Sequence, residues 1–349
     1  MPVVAELARD VRSRRTEWLW SGWFPLGALS IVGGPPGTAK SMLSVWIAAK
    51  ITRGELPGEM FGKTRNVLIV SSEDDLADTI KPRFVAAGGD VSRLYFVDPA
   101  NCGLEFPAGL DDLRQFLFEN AIHLVVLDPL AARITGGLSA NNDKDVRRAL
   151  EPVAGMLRDL HIAGLGIMHM RKATTIDSVS AMMGSLAFVG LARSVVATAE
   201  DEDGSFLFSS AKLNVGRKPA SLRYEVVSAD VAEGDEIIDT ARVRWMGATD
   251  RTVDEVLTEK AARLAGRVVK PYGTALSSAT EFLKKALVGG PRLQREVAEA
   301  AKAAGHASRT LVRAKGALDV ISRQTAQGWT WEIRHPYDLQ DELDDLPVS

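Results

Sequence analysis

The sequence predicts an α/β fold: a mostly parallel sheet covered by helices, ending in an antiparallel extension and followed by a small unit of three helices and a hairpin. Three observations predict it. Between about residues 25 and 200, short β-branched apolar runs alternate with helical patterns, the signature of βαβ units. After residue 200 the strand-like runs continue without helices between them. Beyond residue 276, three short helical patterns lead into two further strand-like runs.

The predicted parallel strands are Leu29–Val32, Val67–Val70, Leu94–Val97, His123–Leu127, Gly164–Met168 and Ser194–Thr198, with helices such as Asp111–Glu119 and Asp143–Leu160 between them. Near-continuous apolar runs suit strands buried on both faces. Ser205–Ala211 and Leu222–Val227 form the expected antiparallel extension, so the first domain is read as residues 1–247. Residues 248–276 carry charge, a Pro-Tyr-Gly step and little periodicity, and read as a linker with a short helix. Helices Ser277–Leu287, Leu293–Ala304 and Ser308–Leu318 follow, the last with Ser308 as N-cap. Strands Val320–Arg323 and Trp329–Ile333 close a second unit at 277–335, in the order of a winged helix-turn-helix. Residues 336–349, rich in Asp and Glu, read as an acidic tail. Near the start, Trp18, Trp20 and Trp23 read either as a subunit-packing arm or as part of the chain's own core.

Composition narrows the function classes. The 349 residues carry a net charge of −3, so the whole surface is not built for a polyanion and any basic patch is local. Cys102 is the single cysteine, which excludes an internal disulfide and a cysteine-based zinc cluster. Met1–Arg15 has no sustained apolar core, unlike a secretory signal, and no run approaches the roughly 18–20 apolar residues of a membrane span. A cytoplasmic protein without a membrane partner is the expectation.

The first functional signal is Gly34-Pro35-Pro36-Gly37-Thr38-Ala39-Lys40-Ser41, placed between a strand and a helix that begins with Met42. It matches the phosphate-loop spacing G-x-x-x-x-G-K-[ST] with alanine before the lysine. Such a loop presents backbone N–H groups and a helix N-terminus to phosphate oxygens. Gly34 and Gly37 give backbone freedom, Lys40 has the reach for the outer phosphates, and Ser41 offers a hydroxyl to Mg²⁺. Residues 34–42 are therefore the candidate nucleotide-binding residues. Ala39 costs nothing at negative φ and about 1 kcal/mol at positive φ. The alternative reading is an ordinary glycine-rich turn.

Three strand ends supply the other candidates. Asp128 closes His123–Leu127 and is either a Mg²⁺ ligand or a loop cap. Glu73, Asp74 and Asp75 follow Val67–Val70. A carboxylate there shares the phosphate-loop edge and can activate water, or it caps the next helix. Glu73, nearest the strand, is the candidate base, with Asp74 or Asp75 as cap. His169 ends Gly164–Met168 and is either a γ-phosphate sensor or structural. Lys212 and Arg217 lie near the antiparallel extension, as basic fingers for a neighbouring subunit or as a solvated rim; Arg171 and Arg193 compete for that role.

The set "WLWSGWFPLGALSIVGGPPGTAKS", "VLIVSSEDD", "LVVLDPLAA", "GIMHMRK", "GSLAFVGLARSVV" and "AKLNVGRKP" resembles the RecA-like P-loop ATPases, in particular the AAA-type, RepA-type hexameric replicative helicases of phages, plasmids and actinobacteria. The resemblance covers roughly residues 15–230. It implies a RecA-like core, with Lys40 and Ser41 as the Walker A residues and Asp128 as the Walker B acid. It implies Glu73 as catalytic base and His169 as the link from γ-phosphate to a DNA-facing loop. It implies Lys212 and Arg217 as trans fingers, ATP and Mg²⁺ as cofactors, single-stranded DNA through the core and a hexameric ring. Ala39 departs from the pattern. Residues 279–333 resemble the winged-helix region that follows such domains. Residues 277–335 hold ten basic and five acidic side chains, a balance of +5. Arg309, Arg313 and Lys315 crowd the third helix, which suits duplex DNA or a merely solvated face. The expected function is an ATP-driven DNA motor, with an ATP-dependent DNA-binding regulator that does not unwind as the alternative. Glu73 argues against a third reading, a binder without turnover.

Overall fold

The structure, a computed structural model, describes residues 7–98, 103–170, 178–179, 181–182, 184–264, 272–318, 320–325 and 328–333, with the backbone alone at 272–277, 309, 313 and 317. The chain divides into two compact units, Met1–Ala261 and Ala262–Ser349. The acidic tail expected at 336–349 lies outside the described residues.

The first unit is built on a sheet of nine strands among the described residues. Its parallel part is β3 (Ala28–Gly34), β4 (Asn66–Ser71), β5 (Leu94–Val97), β6 (Ile122–Asp128), β7 (Ala163–His169) and β8 (Ser194–Glu200). β9 (Phe206–Leu213), β10 (Ser221–Glu233) and β11 (Glu236–Thr249) extend it antiparallel, giving the order β11-β10-β9-β8-β3-β7-β6-β4-β5. This is an α/β architecture with a large, mostly parallel central sheet, which fits a P-loop NTPase core.

Alternation along the strands splits the core into two layers. Leu29, Ile31, Leu68, Val70, Val125 and Leu127 face α3 (Leu110–Glu119), α4 (Asp143–Leu160) and α5 (Ala187–Leu191). Val32, Val67, Ile69, Leu124 and Val126 face α1 (Lys40–Arg53) and α2 (Lys81–Ala86). Both sheet faces are covered, which is why these strands read as apolar runs rather than alternations.

Of the early tryptophans, Trp20 and Trp23 belong to the chain's own core and Trp18 is half-buried. They sit in and beside the short hairpin β1 (Trp18–Trp20) and β2 (Phe24–Pro25), and the rings of Trp20 and Trp23 lie 5.7 and 4.7 Å from Phe208. The antiparallel extension runs further than the sequence suggests. β10 pairs with β9 only through Leu222–Tyr224 but with β11 along its whole length, so the distal part is a two-stranded ribbon. Asp230 stands opposite Asp239 there. A half-exposed ribbon carrying this many charges has no clean apolar period, so β11 is not legible in the sequence. Within the stretch expected as a linker, α6 (Val253–Leu264) buries Val253, Val256 and Leu257 in the core. Arg251 ties it down, donating to Asp201 at 2.9 Å and to Glu259 at 2.7 Å; both carboxylates are buried, so each charge is compensated.

The second unit comprises α7 (Tyr272–Leu287), β12 (Arg292–Leu293), α8 (Gln294–Ala303), α9 (Ser308–Ala317), β13 (Val320–Thr325) and β14 (Gly328–Ile333). Its antiparallel sheet has the order β12-β14-β13. Leu283, Leu287, Val297, Leu311, Val320 and Trp331 form its core. One local expectation fails: Ala307, extended at φ −68° and ψ 141°, is the N-cap of α9, and Ser308 is already helical.

Candidate active site

Parallel register places the site. Gly34 lies opposite His169 across β3 and β7, Gly33 opposite Ala197 across β3 and β8, and Ser71 opposite Asp128 across β4 and β6. The carboxyl ends of these strands therefore meet at one sheet edge, where α/β sheets bind ligands.

The loop from Gly34 to Ala39 is held tightly. A Cβ on Gly34 would fall 2.0 Å from the Thr198 hydroxyl, so only glycine permits this approach to β8. Thr38 Oγ1 donates to the Pro35 carbonyl at 2.9 Å and lies 2.7 Å from Thr198 Oγ1. The buried Tyr224 hydroxyl donates to the Thr38 carbonyl at 2.6 Å. Thr198 and Tyr224 are absent from the sequence reading. They are 160 and 186 residues from Thr38, and a threonine or tyrosine in a strand carries no local signal of such a role. Ala39 has φ 54° and ψ 32°, the left-handed region, so it occupies the costlier of its two conformations. Helix α1 starts directly behind it, and its first-turn N–H groups have no intrahelical acceptor.

Lys40 is 5% exposed, and its Nζ donates to the Pro35 carbonyl at 2.9 Å. Burial lowers its pKa, opposed by the charges of Asp128 and Glu73. Asp128 is 4% exposed. Burial, with help from Glu73 and Asp74, pushes its carboxyl up to about 6, against a hydrogen bond from Ser41 and the charge of Lys40. Its Oδ1 is buried without a hydrogen-bond partner among the described residues. A carboxylate oxygen in that state, beside a serine hydroxyl at a phosphate loop, fits a divalent cation. No cluster of three or more His, Cys, Asp or Glu suited to a metal occurs among the described residues. Ser41 and Asp128 would hold a Mg²⁺ ion, which would supply charge neutralisation to phosphate oxygens.

The three acids after β4 have separate partners. Asp75 accepts from the Ala77 and Asp78 amides at 2.7 and 3.2 Å, and Asp74 pairs with Arg83 at 3.1 Å. Glu73 instead faces β7, with its Oε1 3.7 Å from His169 Nε2. His169 Nδ1 is buried and has no hydrogen-bond partner among the described residues.

A family model described as an AAA domain matches residues 1–175, which include the loop, Lys40, Ser41, Glu73, Asp128 and His169. The chain belongs to the AAA domain family. No curated protein matches it. Membership makes the chain a nucleotide-dependent P-loop ATPase, and an AAA domain binds ATP, usually with Mg²⁺. No helix among the described residues is long and apolar enough to cross a membrane.

Other candidates of the sequence reading lie apart from this AAA site. Lys212 is held within its own chain. Its Nζ donates to the Val189 and Ala192 carbonyls at 2.6 and 2.9 Å, satisfying groups around the end of α5. Burial and Arg193 lower its pKa. It pairs with Val195, at the end of β8 remote from the loop, and Arg193 is exposed at that same end. Arg217 is exposed in the segment leaving β9. Arg171 lies outside the described residues. In the second unit, Lys315 folds back onto its own sheet, donating to Ser322 Oγ at 2.6 Å and standing 5.1 Å from the Trp331 ring. The side chains of Arg309 and Arg313 lie outside the described residues.

Two predictions follow from this geometry. Ala39→Gly relieves the left-handed backbone and raises the stability of the ligand-free protein by up to about 1 kcal/mol in urea unfolding. Asp128 binds a proton in the folded state up to about pH 6 but in the unfolded chain only to its ordinary 3.8. Its contribution therefore turns against folding as pH rises between those values, by about 3 kcal/mol in all. Unfolding curves of the ligand-free wild type and Asp128→Asn should diverge across that window, with the variant the more stable at pH 7.

Proposed function

We propose that this AAA ATPase is a DNA-associated motor of the RecA-like, RepA-type replicative helicase kind, coupling hydrolysis of Mg-ATP to single-stranded DNA. Lys40 and the 34–42 backbone hold the phosphates, and Ser41 with Asp128 holds Mg²⁺. Glu73 orients and deprotonates the attacking water. His169, beside Glu73 and at the end of β7, passes the state of the γ-phosphate to the segment that follows it. The second unit acts as a winged helix on duplex DNA through Arg309 and Arg313, and the ring is hexameric, with Arg217 offered to the neighbouring nucleotide.

The observation that carries this reading is the pairing of Glu73 with His169 at 3.7 Å on the same sheet edge as Lys40 and the Ser41–Asp128 pair. A protein that only binds nucleotide has no use for an exposed carboxylate there. One observation favours the alternative, an ATP-dependent DNA-binding regulator without unwinding: Lys212, one of the two candidate trans fingers, donates to carbonyls of its own chain.

Steady-state ATP hydrolysis with Mg²⁺, with and without single-stranded DNA, tests the proposal. The expected result is hydrolysis that Lys40→Ala abolishes and single-stranded DNA raises severalfold. Absence of hydrolysis in every condition, with duplex DNA still bound, would refute the motor.

A further inference from the structure

The Thr38–Ala39 peptide is the point of conflict in the phosphate loop. Ala39 is an L-residue in the left-handed region, a conformation that persists only where the surroundings impose it. Rotating the peptide plane that precedes it is the cheap route back to negative φ. In a trans peptide the carbonyl and the following N–H point to opposite sides of one plane. Whatever grips the Thr38 carbonyl therefore also decides where the Ala39 N–H points.

Tyr224 makes that grip. It is fully buried in β10, its hydroxyl donates to the Thr38 carbonyl at 2.6 Å, and it shares a hydrogen bond with Thr198. Burial keeps the phenol protonated far beyond its ordinary range, so it remains a donor. The ring is fixed as well. Its centroid lies 5.3 Å from Phe206, stacked, and 5.5 Å from Trp245 of β11. Trp245 in turn packs 5.3 Å from Trp46 of α1, the helix that starts at Lys40. The loop and its helix are thus pinned to one aromatic cluster in the antiparallel extension. Thr198 holds the Thr38 side chain from β8.

We propose that Tyr224 is a positioning residue for nucleotide binding: it holds the Thr38 carbonyl outward, so that the Ala39 N–H stays turned into the phosphate loop. The role rests on the nucleotide-site reading for its purpose, but the anchoring itself is a property of the ligand-free loop. A positioning residue of this kind sets how well the loop receives phosphate, so its loss raises KM and leaves kcat largely intact.

Tyr224→Phe, which removes one oxygen and keeps the ring, tests it in the full chain. Two measurements are made: hydrogen exchange of the 33–43 peptide without nucleotide, and steady-state Mg-ATP hydrolysis. Ser221→Ala serves as control. It removes another buried hydroxyl of β10, 2.8 Å from Ser209 Oγ, that has no contact with the loop. Thr198→Val, cutting the second anchor of Thr38, is run beside them as a further variant. The expected result for Tyr224→Phe is faster exchange confined to the loop peptide and KM raised about tenfold, with kcat changed by less than about twofold. Thr198→Val gives the same pattern more weakly, and Ser221→Ala leaves exchange of the loop and KM as in the wild type. Loop exchange in Tyr224→Phe equal to the wild type, or a KM change no larger than that of Ser221→Ala, overturns the proposal. A wild type that does not bind ATP refutes the proposed function instead, and the nucleotide-free exchange then judges the anchor by itself.

Discussion

The site depends on register in the parallel sheet. Gly34 opposite His169 and Ser71 opposite Asp128 bring a phosphate loop, a histidine and a buried carboxylate to one edge, although they come from strands far apart in sequence. A slip of one residue in any of these strands would turn its side chains to the other layer. Leu124 and Val126 would exchange layers with Val125 and Leu127, and Asp128 would leave the edge. Burial of both sheet faces makes that slip costly, so the apolar core fixes the geometry of the polar site. Helices that cover both faces are the reason the core can do so.

The same edge concentrates the chain's unfavourable terms. Asp128 is buried with one oxygen unpartnered, Lys40 is buried against its charge preference, and Ala39 sits in the left-handed region. Around α6, by contrast, buried charge is compensated, as where Arg251 bridges Asp201 and Glu259. A fold that satisfies its ionic groups around α6 and leaves them strained at the strand ends has kept the strain where a charged ligand relieves it. The antiparallel extension shares in this. Through Tyr224 it supports the loop from outside the parallel sheet.

Much of this was legible in the sequence, and the reasons are local. β5 and α4 match their expected bounds, Leu94–Val97 and Asp143–Leu160, because pattern and termini agree. At α4 the Asn142 side chain caps the Lys144 and Asp145 amides, and His161 closes the helix in the left-handed region. The phosphate loop is a fixed spacing between a strand and a helix, and Asp128 and His169 are strand ends, so each could be found without the fold. What was hidden is what depends on distant contacts or weak patterning. Tyr224 and Thr198 meet Thr38 only in space. β11 is a half-exposed, charge-rich ribbon strand, and β12 is two residues long. The intrachain partners of two basic side chains were hidden for a related reason. Lys212 and Lys315 are near other basic residues in sequence, but each finds a nearer acceptor in its own fold, in carbonyls around α5 and in Ser322.

The proposed function assigns Mg²⁺ to Ser41 and Asp128, beside nucleotide at Lys40. The most direct measurement is the equilibrium affinity for a non-hydrolysable ATP analogue, with Mg²⁺ and with a chelator, in the wild type and in Asp128→Asn. The account predicts that Mg²⁺ tightens binding in the wild type and that this gain is lost in the variant. Equal affinity with and without Mg²⁺ in the wild type, or an undiminished gain in Asp128→Asn, would contradict it.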